Sequence, residues 1–408
     1  MKRFLLSAMF ALTLTACSGK DGAAKKTEDA PEQPARVLDY LSLTSDYLLK
    51  QQNKNGFFSY EFDFITGKPT GWDNLIHQTR TAFSLMQYYA FMVASSIDPP
   101  KAETVLSAVR NSLNAFGKAS VLHNDMPGML VSFYYSPKAS SVRSSDDFLR
   151  DRLSVEIAAT SFALTTELYY WGMTDDNRFE EYRLKWRKAL LHHTEKFIQS
   201  GGMDNDFPSA AWLALTTYAQ SDPSDTEVVR TAERLTGLML NIKRPVKTAE
   251  DYTWDMMAVR QNNIENGKNE KQKDFVARQT SAVLDLYPRH DASVNSCLLS
   301  LGLATASNYL TDDPSQTAES KRLGRAALGR GQLEYYSSLK FTILPRQTWI
   351  SLGPGRTLHS QDFRLFTGAS VAGLHMPQIN IGLAGNCLLA GMRFAGEDIK
   401  ENAARENQ

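Results

Sequence analysis

Apolar residues recur along most of the chain at spacings of three and four, the period of helices with one buried face. That pattern predicts helices near 36–53, 74–95, 99–117, 150–171, 176–200, 208–220, 223–242, 272–286, 292–310, 316–341 and 377–394. Short stop-and-start signals separate several of them: Ile97-Asp98-Pro99-Pro100, Thr174-Asp175-Asp176-Asn177, Ser221-Asp222-Pro223-Ser224 and Thr311-Asp312-Asp313-Pro314. Such turns join a very apolar helix to a charged one. "SFALTTELYYWGM" precedes "RFEEYRLKWRKALLHH", and "SAAWLALTTYAQ" precedes "TEVVRTAERLTGLML". A helix apolar all round is buried and one with a charged stripe faces water, so the alternation predicts two layers. One stretch departs from the helical period. In "NGFFSYEFDFITGKPTGWDNLIHQTR", residues 55 to 80, Phe58, Tyr60, Phe62 and Phe64 alternate with Ser59, Glu61 and Asp63. That is the period of a strand, and Thr66 to Gly71 close it as a hairpin.

The start of the chain is of another kind. Lys2 and Arg3 precede an apolar run from Phe4 to Leu14, too short for a permanent membrane span, and Leu14-Thr15-Ala16-Cys17 follows. The small residues before a cysteine resemble the lipobox of bacterial lipoproteins. The resemblance implies a signal peptide over 1–16, lipidation of Cys17 and, from Ser18, an outer-membrane location in the cell envelope. Two or more acyl chains would hold the protein in a membrane stably. Residues 18–36, "SGKDGAAKKTEDAPEQPAR", are charged and nearly free of large apolar side chains, so 17–36 reads as a flexible tether of roughly 25 Å.

Lys+Arg and Asp+Glu both number 45, and loss of Lys2 and Arg3 leaves a net charge of about −2. This balance argues against a nucleic-acid partner. Besides Cys17 only Cys297 and Cys387 remain, both in apolar helical runs. They are open to two readings, a disulfide or a pair of buried thiols.

The helix order and the "GFFSYEFD…TG…N…R" opening resemble six-hairpin (α/α) barrels. The fold expected for 37–408 is therefore all-α, an (α/α) toroid of alternating inner and outer helices with a small β-hairpin near its N-terminus. Residues 243–275 and 342–374 fit no regular hairpin count, and a helical solenoid is the alternative. Enzymes of the toroid type include glycoside hydrolases, polysaccharide lyases and uronyl epimerases. The resemblance thus implies a polysaccharide or related envelope polymer as partner.

Candidate chemistry gathers ahead of the apolar helices. Asp73, Asp151, Asp204, Asp206, His290 with Asp291, and His375 each precede one, where helix N-termini favour anions. Each single Asp is also a favoured cap, and Pro208 and Pro377 read as first-turn prolines. In 74–95, His77, Arg80, Ser84 and Gln87 share one stripe, with Asp73 one turn before His77 and placed to orient its ring. Glu156, Thr160 and Glu167 mark a second stripe. Aromatics beside carboxylates suit sugar rings, by stacking and by acid chemistry at the glycosidic oxygen.

The catalytic candidates are Asp63 or Asp125 as acid or base, with His77 and Arg80 orienting substrate or stabilising charge. Tyr60 and Trp72 are stacking candidates. Glu61, His123, Glu156, Asp204, Asp206, His290 and Asp291 are candidates for binding substrate. Asp204-x-Asp206 lacks a full calcium loop, so no metal is expected, and no cofactor motif occurs. His192-His193 reads as a surface pair. The rival reading is a non-catalytic lipoprotein that presents a concave helical surface to an envelope protein or polymer.

Overall fold

The computed structural model describes residues 36–63, 66–70, 73–123, 126–130, 145–202, 207–242, 246, 248–266, 270–293, 295–311, 317–347, 349–351, 357–359, 363–373, 376–396 and 399. Cys17, Trp72, Asp125, Asp204, Asp206 and His375 lie outside the described residues.

Twelve α-helices occur among the described residues: α1 (Val37–Gln51), α2 (Leu75–Ala94), α3 (Pro99–Ala119), α4 (Ser145–Thr174), α5 (Glu180–Gln199), α6 (Ser209–Ser221), α7 (Thr226–Asn241), α8 (Ala249–Asn266), α9 (Glu270–Leu286), α10 (Cys297–Thr311), α11 (Ala318–Leu339) and α12 (Ile381–Phe394). Eleven answer to expected segments. The predicted turns end and start helices as their chemistry requires. Asp98, at φ 41°, accepts from the Lys101 N–H and caps α3, whose first residues are Pro99 and Pro100. Asp225 caps α7 by accepting from Val228 N.

Helix α8 is the addition, in a segment that fitted no hairpin count. Besides Gln261, its buried residues run consecutively from Tyr252 to Val259, so no stripe announces it. Its start carries a capping box: Asp251 N–H donates to Thr248 Oγ1 at 3.1 Å, and Thr248 Oγ1 donates back to the Asp251 carboxylate at 2.9 Å. Helix α4 begins earlier than expected, so Asp151 lies within it rather than at its cap.

Helix packing follows parity. Helix α2 touches α4, α4 touches α6, α6 touches α8, α8 touches α10, α10 touches α12, and α12 returns to α2. The odd-numbered helices lie against these: α1 on α12, α3 on α2, α5 on α4, α7 on α6, α9 on α8 and α10, α11 on α10. Helices α2, α6, α10 and α12 bury most of their residues, as their apolar sequences require.

The stretch around Phe58–Asp63 forms more than a hairpin. Strands β1 (Glu61–Asp63) and β2 (Lys68–Pro69) pair antiparallel, and β1 also pairs with β8 (Met376–Asn380), which pairs with β7 (Val371–Gly373). The sheet order is β2-β1-β8-β7, joining the two ends of the helical domain. Pro377 therefore sits in β8 rather than in a helix's first turn, and α12 starts after it, capped by Asn380 accepting from Leu383 N. Two short hairpins stand apart: β3 (Ser120–His123) with β4 (Met126–Leu130), and β5 (Trp349–Ser351) with β6 (Thr357–His359). His123 thus ends a strand.

Cys297 and Cys387 are joined by a disulfide, tying the start of α10 to α12 across 90 residues of chain. His193 is buried on α5, its Nε2 without a partner among the described residues, not on the surface as its sequence neighbours suggest; His192 is exposed. Burial, then the charges of His192 and Lys196, push the His193 imidazole down to about 4.

Two outcomes follow. The Cys297→Ser/Cys387→Ser protein keeps its helix content but unfolds at lower urea, with a loss of about 2–4 kcal/mol. Equal midpoints for the two proteins would show that the bond adds nothing. A histidine held neutral contributes stability that is full above its unfolded pKa and is lost as pH falls. His193→Leu should therefore reduce by roughly 1–3 kcal/mol the stability lost between pH 6.5 and about 4, measured by denaturant titration at each pH.

Candidate functional site

A cavity of about 440 Å³ opens where the first turns of α2, α8, α10 and α12 meet the C-terminal half of α11. Its lining includes His77 and Arg80 from α2, Glu250 from α8, Arg330 and Glu334 from α11, and Asn386 from α12. Tyr287, Arg289 and Asp291 come from the segment between α9 and α10.

His77 is positioned by three local arrangements. Asn74 caps α2 by accepting from the His77 backbone N–H at 3.1 Å. One residue on, the Gln78 amide clamps Phe58, accepting from its N–H and donating to its C=O, both at 2.8 Å. That clamp fixes the strand beside the helix, and the Tyr60 carbonyl then accepts from Ile381 N at 3.1 Å, where α12 begins. The Tyr60 hydroxyl consequently lies 3.1 Å from His77 Nδ1; which atom donates depends on the imidazole tautomer. Across the ring, Gly382 leaves room for it: a Cβ there would lie 2.6 Å from His77 Cγ and Nδ1. Asp73 does not orient this ring. Its carboxylate accepts from Gln78 Nε2 at 2.9 Å and from Asn74 N at 2.7 Å.

Burial, and secondarily the nearby Arg80 charge, lower the His77 pKa well below the ordinary value. Burial raises the Tyr60 hydroxyl to about 12; Glu61 and Asp73 also raise it, against Arg80. Both partners are therefore neutral near pH 7, with the imidazole facing the cavity and the hydroxyl behind it.

Arg80 is almost fully buried. Its Nη1 donates to Glu250 Oε1 at 2.7 Å, its guanidinium lies 5.9 Å from the Trp254 ring centroid, and Nε has no partner among the described residues. A second cluster is built on Glu334, whose side chain is 1% exposed. It accepts from Arg330 Nε at 2.5 Å and lies 2.9 Å from His290 Nδ1. Arg330 also donates to the carbonyls of Tyr287 and Arg289, which laces the α9–α10 segment onto α11. Asp291 is exposed, and its carboxyl is held below the usual range by hydrogen bonds from Ser293.

Of the residues expected from the sequence, His77, Arg80 and Asp291 line the cavity, while Tyr60 and His290 are hydrogen-bonded to residues that do. Four other described candidates are engaged away from the cavity. Asp63 accepts from Thr66 N at its own hairpin turn. Glu61 is buried and accepts from Thr70 Oγ1 at 2.8 Å, so it does not stand on an open polar face. Glu156 is buried and bound to Arg152 at 2.9 Å. Glu167 is buried and paired with Arg183 of α5 at 2.9 Å. Glu250, Arg289, Arg330, Glu334 and Asn386 were not singled out. Arg330 and Glu334 show only as an ordinary i,i+4 pair, and Glu250 as an acidic residue in a capped first turn.

Compared with family models, curated proteins and solved structures, the chain matches none.

The His77 imidazole should show no titration midpoint near pH 6.5 by NMR; a midpoint there would contradict a ring held neutral at pH 7. Gly382→Ala forces that ring aside at a cost of about 1–3 kcal/mol. The expected sign is loss of the Tyr60–His77 coupling in the same spectra.

Proposed function

We propose that the chain forms an (α/α) toroid, with the even-numbered helices inside and the odd-numbered ones outside. The order of helix contacts, from α2 round to α12 and back to α2, supports this reading. We further propose that it is a lipid-anchored protein of a bacterial cell envelope, held through Cys17, which binds and processes a polysaccharide or related polymer in the cavity. The Cys297–Cys387 bond suits an oxidising compartment such as a periplasm.

The observation that carries the enzymatic reading is His77, which lines the cavity beside Arg80 and is backed by the neutral Tyr60 hydroxyl behind it. A hydroxyl and a neutral imidazole can take up and return a proton at a sugar carbon or a glycosidic oxygen. A guanidinium one helical turn away stabilises the negative charge that develops. The cavity volume lies in the range of small-molecule sites, about 300–1,000 Å³, and so suits one end or a short stretch of a polymer. Hydrolysis by two free carboxylates is the less supported chemistry here. Glu250 and Glu334 are held in ion pairs, and Asp291 is tied to Ser293.

The test is the purified protein against a panel of neutral and uronic-acid oligosaccharides, following Trp fluorescence and product formation together. Turnover is expected, and Tyr60→Phe and His77→Gln should each lower kcat by about 10²- to 10⁴-fold with a small change in KM. Binding without turnover would make the protein a polymer-binding lipoprotein. No binding by any sugar would favour the scaffold for a partner protein.

A further inference from the structure

Arg80 and Glu250 are 170 residues apart and belong to α2 and α8, which are not successive in the order of packed helices. The two side chains differ sharply in environment. That of Arg80 is 3% exposed, that of Glu250 45%. An acidic residue in the first turn of α8 is explained by the helix dipole alone. The dipole does not explain why this side chain reaches out to a buried guanidinium on a distant helix.

Among the described residues, the guanidinium's use of its donors is incomplete. Glu250 takes one N–H, and Nε, itself removed from solvent, has no partner. A buried cation with an idle donor is costly unless something completes its shell. Asn386, 7% exposed and lining the same cavity, likewise keeps Oδ1 unpartnered. The exposed Arg289 side chain adds a second positive charge to the lining. A guanidinium can hold a carboxylate through two parallel N–H bonds, whereas Glu250 supplies one.

From this we infer that Arg80 is the binding cation for a carboxylate on the ligand, and that Glu250 is an intramolecular stand-in which the ligand's carboxylate displaces. The inference rests on the reading of the cavity as a saccharide site and makes the saccharide a uronate. In the empty site Glu250 neutralises Arg80, which keeps the buried charge paired. On binding, the ligand's acidic group takes over Arg80, and Glu250, already half in water, moves out at little cost. An uncharged ligand has no means of displacing it, so Glu250 selects for anionic sugars as well as competing with them.

The experiment is calorimetric titration of the full chain in detergent and of its Glu250→Gln variant. The ligands are D-galacturonate, D-glucuronate, their uncharged methyl esters and neutral oligosaccharides. Gln keeps the size and the acceptor oxygen but removes the competing charge. The expected result is a gain of about three- to tenfold in uronate affinity for Glu250→Gln, with ester affinity unchanged. Unchanged or weaker uronate binding by the variant, with neutral oligosaccharides still bound, would make the pair structural and overturn this inference alone. Failure of both proteins to bind any of the sugars would overturn it together with the saccharide reading.

Discussion

The rings of Phe162 and Trp254 meet edge-on with centroids 4.8 Å apart, and Phe83 packs against both at 5.9 and 6.4 Å. Tyr169 adds a fourth ring, 6.2 Å from Phe83. These residues come from α2, α4 and α8 and are all buried. Each such ring contributes on the order of 2–3 kcal/mol by leaving water, and each well-placed aromatic pair adds roughly 0.5–1.5 kcal/mol. This apolar cluster joins α2, α4 and α8 and lies between two polar regions of α8. Along α8, Glu250 lines the cavity, Trp254 enters the cluster one turn later, and Gln261 lies about 16 Å from Glu250 by helical rise. There Gln261 accepts from the Tyr169 hydroxyl and donates to Gln220, so the far side is closed by side-chain amides.

The cavity is a consequence of that cluster. Polar groups on the first turns of α2 and α8 cannot be covered by rings one turn deeper, so they must find each other or stay wet. Most find partners: Arg80 with Glu250, Glu334 with Arg330 and His290, His77 with Tyr60. What stays incomplete is concentrated in Arg80 Nε, Asn386 Oδ1 and His290 Nε2. A buried ion pair is weak evidence of stability, since desolvation offsets much of the attraction.

Much of the helical content was legible because it rests on short-range physics. Eleven helices follow from apolar period and punctuation, and the caps Asp98 and Asp225 do what their residue types favour. Helix α8 was not read because its buried residues are consecutive rather than striped, although Thr248 and Asp251 carried a local signal. The strand expected over Phe58–Phe64 was legible in part, forming at Glu61–Asp63, but its second partner, β8, lies more than 300 residues away and leaves no trace in the local pattern. For the site, His77 and Arg80 showed as a polar stripe on an apolar helix. Asp63, Glu61 and Glu156 looked equally eligible until their hydrogen bonds were seen to be used close at hand.

By itself the sequence determined the helical periods, their ends, one aromatic strand, and two cysteines in apolar runs. All are set by neighbours within about one helical turn or two strand positions. Tertiary structure alone decided that Cys297 meets Cys387, that Glu334 meets His290 and that Arg80 meets Glu250. Such pairings depend on which helices face one another. Periodicity says only which face of a helix is buried and carries no information on what it is buried against, so the chemistry of the cavity appears only once the helices are packed.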